Sequence, residues 1–368
     1  MRTFTIFPTG GRKMKRICQI YLPQWFRSFK NHTLLEISNN LQYLKEAGFH
    51  GIYLIGLWLD GGYDNGFDIV EYMVNPKYGT TSELIELVIK KAHDLGLTVG
   101  VDVVPNHVSY RNILAMECLS RTPGFEDALY VVSKDEADEL TKAGVPSFFG
   151  KQAYSLVDGK YVRSTFVDNY QLNVNWGNER VQTYFRDVFK KLKGYGVDFA
   201  RIDCGELLFE DVSKADPKNP LACLNVKASI EAVASVADGM PLFYECFFPE
   251  TAKLMEGMPN CYCLDCSYVL TGQQKTEWEA YSKLVPLVGR HDQMTAADRG
   301  INITETLEKM ETYEYGFLDM QTLIAHKTNP EILDDDWNYD ADLKNPNQRY
   351  RARREIKPIL EAFKKTTE

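Results

Sequence analysis

Short apolar runs alternate along the chain with longer stretches in which apolar residues recur every three or four positions. The runs at 17–22, 51–57, 98–104, 198–202, 242–246, 262–265, 286–288 and 317–324 predict strands. Helical spacing predicts helices over 34–47, 82–95, 179–193, 225–236, 276–284, 303–313 and 348–364. Thr81 and Ser82 are cap-like residues at the head of the second helix. Eight strands in alternation with helices predict an α/β fold, a parallel sheet closed into a (β/α)8 TIM barrel. A doubly wound open sheet is the competing arrangement, and it is disfavoured because no G-x-G-x-x-G follows an early strand. The alternation fails between 108 and 169, a stretch far too long for an ordinary loop. It predicts a short inserted domain after the third strand, carried on a barrel formed by 1–107 and 170–368.

Composition narrows the class. The 368 residues are 44% apolar and 25% charged, which excludes collagen, coiled coil and wholesale disorder. Lys and Arg number 42 against 51 Asp and Glu, a net charge of −9. Without basic runs, that balance argues against nucleic acid or an anionic membrane as partner. No uncharged apolar stretch approaches the ~18 residues of a membrane helix. Residues 1–22 hold no sustained apolar segment, so no signal peptide is expected, and Met14 is an alternative start to Met1. The 8 cysteines lack a disulfide-framework spacing, which points to a reduced, cytoplasmic setting. Cys261, Cys263 and Cys266 read as buried small residues, and the acidic run Asp334 to Asp336 as a solvated loop. The 21 Tyr and 5 Trp suit stacking on sugar rings, and equally suit a large core.

In such a barrel the chemistry lies where the strands end. The third predicted strand leads into Asp102-Val103-Val104-Pro105-Asn106-His107, and the fourth ends in Arg201-Ile202-Asp203. The fifth holds Tyr244-Glu245-Cys246, and the seventh is followed by Arg290-His291-Asp292. Three acids, Asp203, Glu245 and Asp292, therefore fall at one end of three strands. Two carboxylates facing one bond are what glycoside hydrolysis needs, one as nucleophile and one as proton donor. Arg201 precedes Asp203 by two residues, so on a strand both point the same way, and its guanidinium can hold Asp203 ionised.

The segments from Asp102 to His107 and from Gly196 to Asp203, the strand-end Glu245, and His291-Asp292 resemble, in order, the signature segments of the α-amylase family of glycoside hydrolases. Gly66-Phe67-Asp68-Ile69-Val70-Glu71-Tyr72 and Asn173-Val174-Asn175-Trp176-Gly177-Asn178 are similar to two further family segments. The resemblance implies a retaining enzyme cleaving α-glucosidic bonds of oligo- or disaccharides through a covalent β-glycosyl-enzyme. It implies Asp203 as nucleophile, Glu245 as acid/base and Asp292 as the third carboxylate. Phe67, Asp68, His107, Arg201 and His291 would bind substrate. Transglycosylation or sugar isomerisation within the family, and a noncatalytic carbohydrate-binding or scaffold relative, stand as alternatives.

Departures from the family pattern shape the expectations. Phe67 stands where a stacking Tyr is usual, and Glu206 and Leu207 where Lys and His are frequent. Asn173 stands where an acid is frequent, which thins the oxygen ligands a calcium ion needs. No metal or other cofactor is therefore expected. Family members normally continue into a β-sandwich domain. Only four residues follow the last predicted helix, so no C-terminal β-sandwich domain is expected, and the uncovered barrel flank predicts a homo-oligomer.

Overall fold

The structure, a computed structural model, describes residues 15–23, 33–46, 48–64, 66–147, 153–164, 170–247, 249–265, 282–288, 310 and 313–319. The chain opens with β1 (Lys15–Tyr21), α1 (Thr33–Glu46) and β2 (Gly51–Ile55). Every residue of β2, and all but the first of β1, is buried, as expected of strands covered on both faces. In α1, Leu34, Ile37, Leu41 and Leu44 make the buried stripe that helical spacing predicts. A hairpin not foreseen from the sequence follows, β3 (Trp58–Asp60) with β4 (Ile69–Val74). The next helix, α2 (81–94), starts one residue earlier than expected. Thr80 is the N-cap, in a capping box with Glu83, so neither Thr81 nor Ser82 has that role. Leu84–Ile89 within it is wound as a π-helix.

After β5 (Thr98–Val103) come β6 (His107–Val108), α3 (Ile113–Leu119), β7 (Val131–Val132), α4 (Lys134–Ala143), β8 (Tyr154–Val157), β9 (Lys160–Arg163) and β10 (Leu172–Asn173). Strands β7, β9 and β8 form a separate antiparallel sheet. The cluster Ala137, Val145, Ala153 and Tyr154 packs apart from the main core. Arg163 ties β9 to the barrel: it grips Glu210 with two nitrogens at 2.9 and 2.6 Å and also donates to the carbonyls of Ala153 and Pro146.

The chain then returns to alternation with α5 (Glu179–Tyr195), β11 (Phe199–Ile202), α6 (Val226–Val236), β12 (Leu242–Cys246), α7 (Pro249–Met255), β13 (Cys261–Asp265), β14 (Leu284–Val288) and β15 (Tyr315–Asp319). Eight strands close into a barrel in the order β1, β15, β14, β13, β12, β11, β5, β2, every pair parallel. This is the expected TIM barrel. Leu284 opens a strand, whereas the sequence placed it at a helix end, because the apolar run 284–288 is buried throughout. Residues 276–281 of the expected 276–284 helix, the 303–313 helix apart from Met310 and Tyr313, and everything after Asp319 lie outside the described residues. So do Cys266 and the run Asp334 to Asp336. Cys261 and Cys263 are buried, as expected. Among the described residues no helix is long and apolar enough to cross a membrane.

Strand register stacks the barrel interior in layers. Gly100 pairs with Phe199, and Asp102 with Arg201 one step up the same faces. A Cβ on Gly100 would lie 2.0 Å from the Phe199 ring, so the glycine makes the room that ring occupies. Phe199 meets Phe243 and Phe317 edge-on at 5.3 and 6.0 Å. This aromatic plug fills the barrel below the polar layer.

Candidate active site

The period-two geometry of strands sets the polar layer. On β5 the inward series continues from Gly100 to Asp102, on β11 from Phe199 through Arg201 towards Asp203, and on β12 from Phe243 to Glu245. Arg201 sits at the centre. Its Nη1 donates to Asp102 Oδ1 at 3.1 Å and to Asp203 Oδ1, and its Nη2 lies 2.7 Å from Glu245 Oε1. All four side chains are buried. Burial works against the Arg201 charge, but Glu245, Asp102 and Asp203 outweigh it and hold the guanidinium pKa above its ordinary value.

A turn closes the site. The backbone N–H of Asp203 still donates to Val103 O at 2.9 Å, and then Cys204 adopts φ +47°, in the left-handed region. That turn brings the Cys204 N–H to 3.3 Å and its Sγ to 3.7 Å from Glu245 Oε2. A carboxylate oxygen of Asp203, one of Glu245 and the Cys204 sulfur thus all lie within 4.8 Å of one another. Burial pushes the Cys204 thiol well up, so it stays a neutral thiol.

The sugar-binding candidates divide. Phe67 is nearly buried, with its ring centroid 6.0 Å from the Arg201 guanidinium carbon. His107 lies in the same wall: the Phe67 backbone hydrogen-bonds its ring, and Nδ1 is 3.2 Å from Asn106 Oδ1. Burial lowers its pKa to about 3, so the imidazole is neutral. Asp68 follows Phe67 and is fully buried. Burial, and then Asp60, push its pKa to about 6 against the pull of the Tyr63 and Asp64 N–H groups. His291 and Asp292 lie outside the described residues.

Two residues of the site escaped the sequence reading. Asp102 accepts from Tyr53 Oη at 2.8 Å, and Trp58 Nε1 donates to its carbonyl at 2.6 Å. Burial raises its pKa to about 7 despite Arg201. Its signal was available, since it sits two residues after Gly100 on a strand, but its partner is 99 positions away. Glu206, noted only as a departure, is fully buried and accepts from the Phe247 N–H at 2.9 Å and from the Thr251 hydroxyl. It pins the loop that follows Glu245 to the turn that follows Asp203.

Leu207 O accepts from Asn106 Nδ2 at 2.7 Å, and Asn106 Oδ1 accepts from Asn173 Nδ2 at 3.4 Å. Neither asparagine supplies charge.

A profile of the family described as "Alpha amylase, catalytic domain" matches residues 19–246. Maltase A1 of Drosophila melanogaster is 29% identical over 180 residues, covering 47% of this chain and 31% of that protein. Trehalose-6-phosphate hydrolase of Bacillus subtilis is 29% identical over 178 residues, covering 48% and 31%. The chain thus spans about a third of the length of these relatives. Among solved structures, a variant of trehalulose synthase MutB superposes with TM-score 0.73 at 16% identity, over 94% of this chain and 72% of that one. At that identity the likeness concerns the fold alone.

Proposed function

We infer the function from one premise: the chain belongs to the α-amylase catalytic-domain family. It is a glycoside hydrolase that cleaves α-glucosidic bonds of small saccharides with retention of configuration. One observation carries this reading. Carboxylate oxygens of Asp203 and Glu245 come within 4.8 Å, with the Arg201 guanidinium contacting both. Retaining pairs have carboxyl groups about 5–5.5 Å apart, too close for a water between nucleophile and sugar.

The chemistry follows from that spacing. Asp203, oriented by its contact with Arg201, attacks the anomeric carbon while Glu245 gives its proton to the departing oxygen. A β-glycosyl ester forms and the leaving sugar departs neutral. Glu245, now a carboxylate, takes a proton from water as that water opens the ester, which returns Asp203 to its ionised form. The buried Asp203 carboxylate, facing the carbon it attacks, favours the positive charge that develops on the ring. Phe67 supplies an apolar face, and Asp68 and neutral His107 hold hydroxyls. Asp292 and His291 complete the set by their match to the family pattern.

The test is the anomeric proton NMR signal of the first product from maltose, isomaltose, sucrose or trehalose, read before mutarotation. An α-configured sugar is expected. A β-configured product, or no turnover on any α-glucoside, overturns the proposal.

A further inference from the structure

Three tyrosines gather outside the core at the rim of the site. Tyr63 lies in the loop between β3 and β4, Tyr110 just after β6, and Tyr170 just before β10. The Tyr63 ring is stacked on Tyr170 at 5.0 Å and 17°. It lies 6.4 Å from Tyr110, tilted by 52°. Tyr63 is 56% exposed and Tyr110 37%, whereas Tyr53, Tyr72, Tyr78 and Tyr244 are fully buried. Clustered aromatic surface in water is unfavourable unless something covers it.

The segments that carry these rings also carry the sugar-binding candidates. The Tyr63 N–H donates to Asp68 Oδ2 at 3.3 Å. Tyr110 stands three residues after His107, and Tyr170 three before Asn173, which pairs with His107 across β6 and β10. Gln171 donates to Asp64 and so joins the Tyr170 and Tyr63 segments. The cluster has a polar rim of Asp64, Gln171 and Arg111, the last close enough to act on the Tyr63 phenol.

We propose that Tyr63, Tyr110 and Tyr170 form a stacking platform for an outer pyranose ring of the substrate, beyond the ring held by Phe67 and Asp68. The inference rests on the saccharide-cleaving reading above. A pyranose presents an apolar C–H face and a belt of hydroxyls. The face suits the negative π-surface of an aromatic ring, and the hydroxyls suit polar groups at its margin. Rings already stacked on one another have little rotamer freedom left to lose on binding. Phe67 cannot serve this role, because it is nearly buried beside Arg201.

The experiment uses the full chain and measures kcat/KM on α-glucosyl fluoride, which has a single ring, and on maltose, maltotriose, isomaltose and isomaltotriose. Tyr63→Ala should lower kcat/KM on the oligosaccharides about tenfold more than on the fluoride. Tyr63→Phe should keep most of the oligosaccharide rate, since the ring remains. Equal losses on every substrate overturn the platform, as does oligosaccharide activity that Tyr63→Ala leaves intact. If Tyr63→Ala melts well below the parent, Tyr110→Ala carries the same comparison. A parent protein inert on all α-glucosides would instead refute the enzymatic reading. The platform is then judged by saturation-transfer NMR with maltotriose. A saccharide signal that Tyr63→Ala abolishes supports it, and a persistent or absent signal overturns it.

Discussion

Replacing Arg201 by Met keeps much of the side chain's length and removes its charge. The contacts to Asp102 at 3.1 Å, to Glu245 at 2.7 Å and to Asp203 are lost, and three buried acids lose the guanidinium they share. Stranding one partner of a buried ion pair costs about 3–5 kcal/mol. A chain of 368 residues has an unfolding entropy of about 0.8 kcal/mol/K, so the melting temperature should fall by about 4–6 °C. The deficit also has a signed pH dependence. Asp102 has a folded pKa of about 7 against an ordinary 3.8, so the unfolded chain releases this proton first. Its contribution therefore weakens the fold as pH rises from about 3.8 to about 7, then levels off in the parent protein. Arg201 pulls the Asp102 pKa down, and removing it extends the decline above 7. Melts followed by circular dichroism should show an Arg201→Met deficit that is larger at pH 8.5 than at pH 6. A deficit below 1 °C, or one that is flat or shrinking with rising pH, would refute the account of Arg201 as the site's counter-charge.

Three further outcomes are expected. Glu245→Gln should lower kcat on maltose-type substrates by about 10²–10⁴-fold but far less on α-glucosyl fluoride, whose leaving group needs no proton, while Asp203→Asn should abolish both; an equal loss for Glu245→Gln on both substrates would remove it from the acid role. Chelation with EDTA should leave activity and melting temperature unchanged, because Asn106 and Asn173 hydrogen-bond to protein groups in place of a cation, and a loss restored by calcium would contradict that. Gly100→Ala should destabilise by about 1–3 kcal/mol through its clash with Phe199, and Phe199→Leu should relieve it; an unchanged melting temperature would show that the Phe199 ring moves freely.

The eight barrel strands were legible because each is covered on both faces and so reads as a continuous apolar run. Helices such as α5 were legible from their stripe, with Val181, Phe185, Val188 and Leu192 on one side. The β3–β4 hairpin and the small β7–β9–β8 sheet were not, since strands of two to six residues leave too few positions to establish a period. Asp203, Arg201 and Glu245 could be read because each stands at a strand end or two residues from another. Asp102 could not be assigned, because its role comes from lateral pairing with Arg201 and from Tyr53 across β2, neither of which is local in sequence. Glu206 shows the opposite failure. Its departure from the family pattern was visible, but its use as a clasp on Phe247 and Thr251 depends on a turn that only the folded chain forms.

The barrel is sealed by the pairing of β1 with β15, in which Lys15 faces Tyr315 and Gln19 faces Asp319. During synthesis the first strand therefore waits for a partner about 300 residues away. At roughly 5–20 residues per second, that interval lasts about 15–60 s on the ribosome. Throughout it β1 has β2 on one side and an open ladder on the other, with Ile17, Cys18 and Ile20 uncovered. Such an edge is a template for pairing with another nascent chain. The yield of soluble protein is thus set by how fast translation reaches β15 and by what shields β1 until then. Slower elongation, or loss of a chaperone that covers that edge, would reduce yield without any change in the stability of the finished barrel.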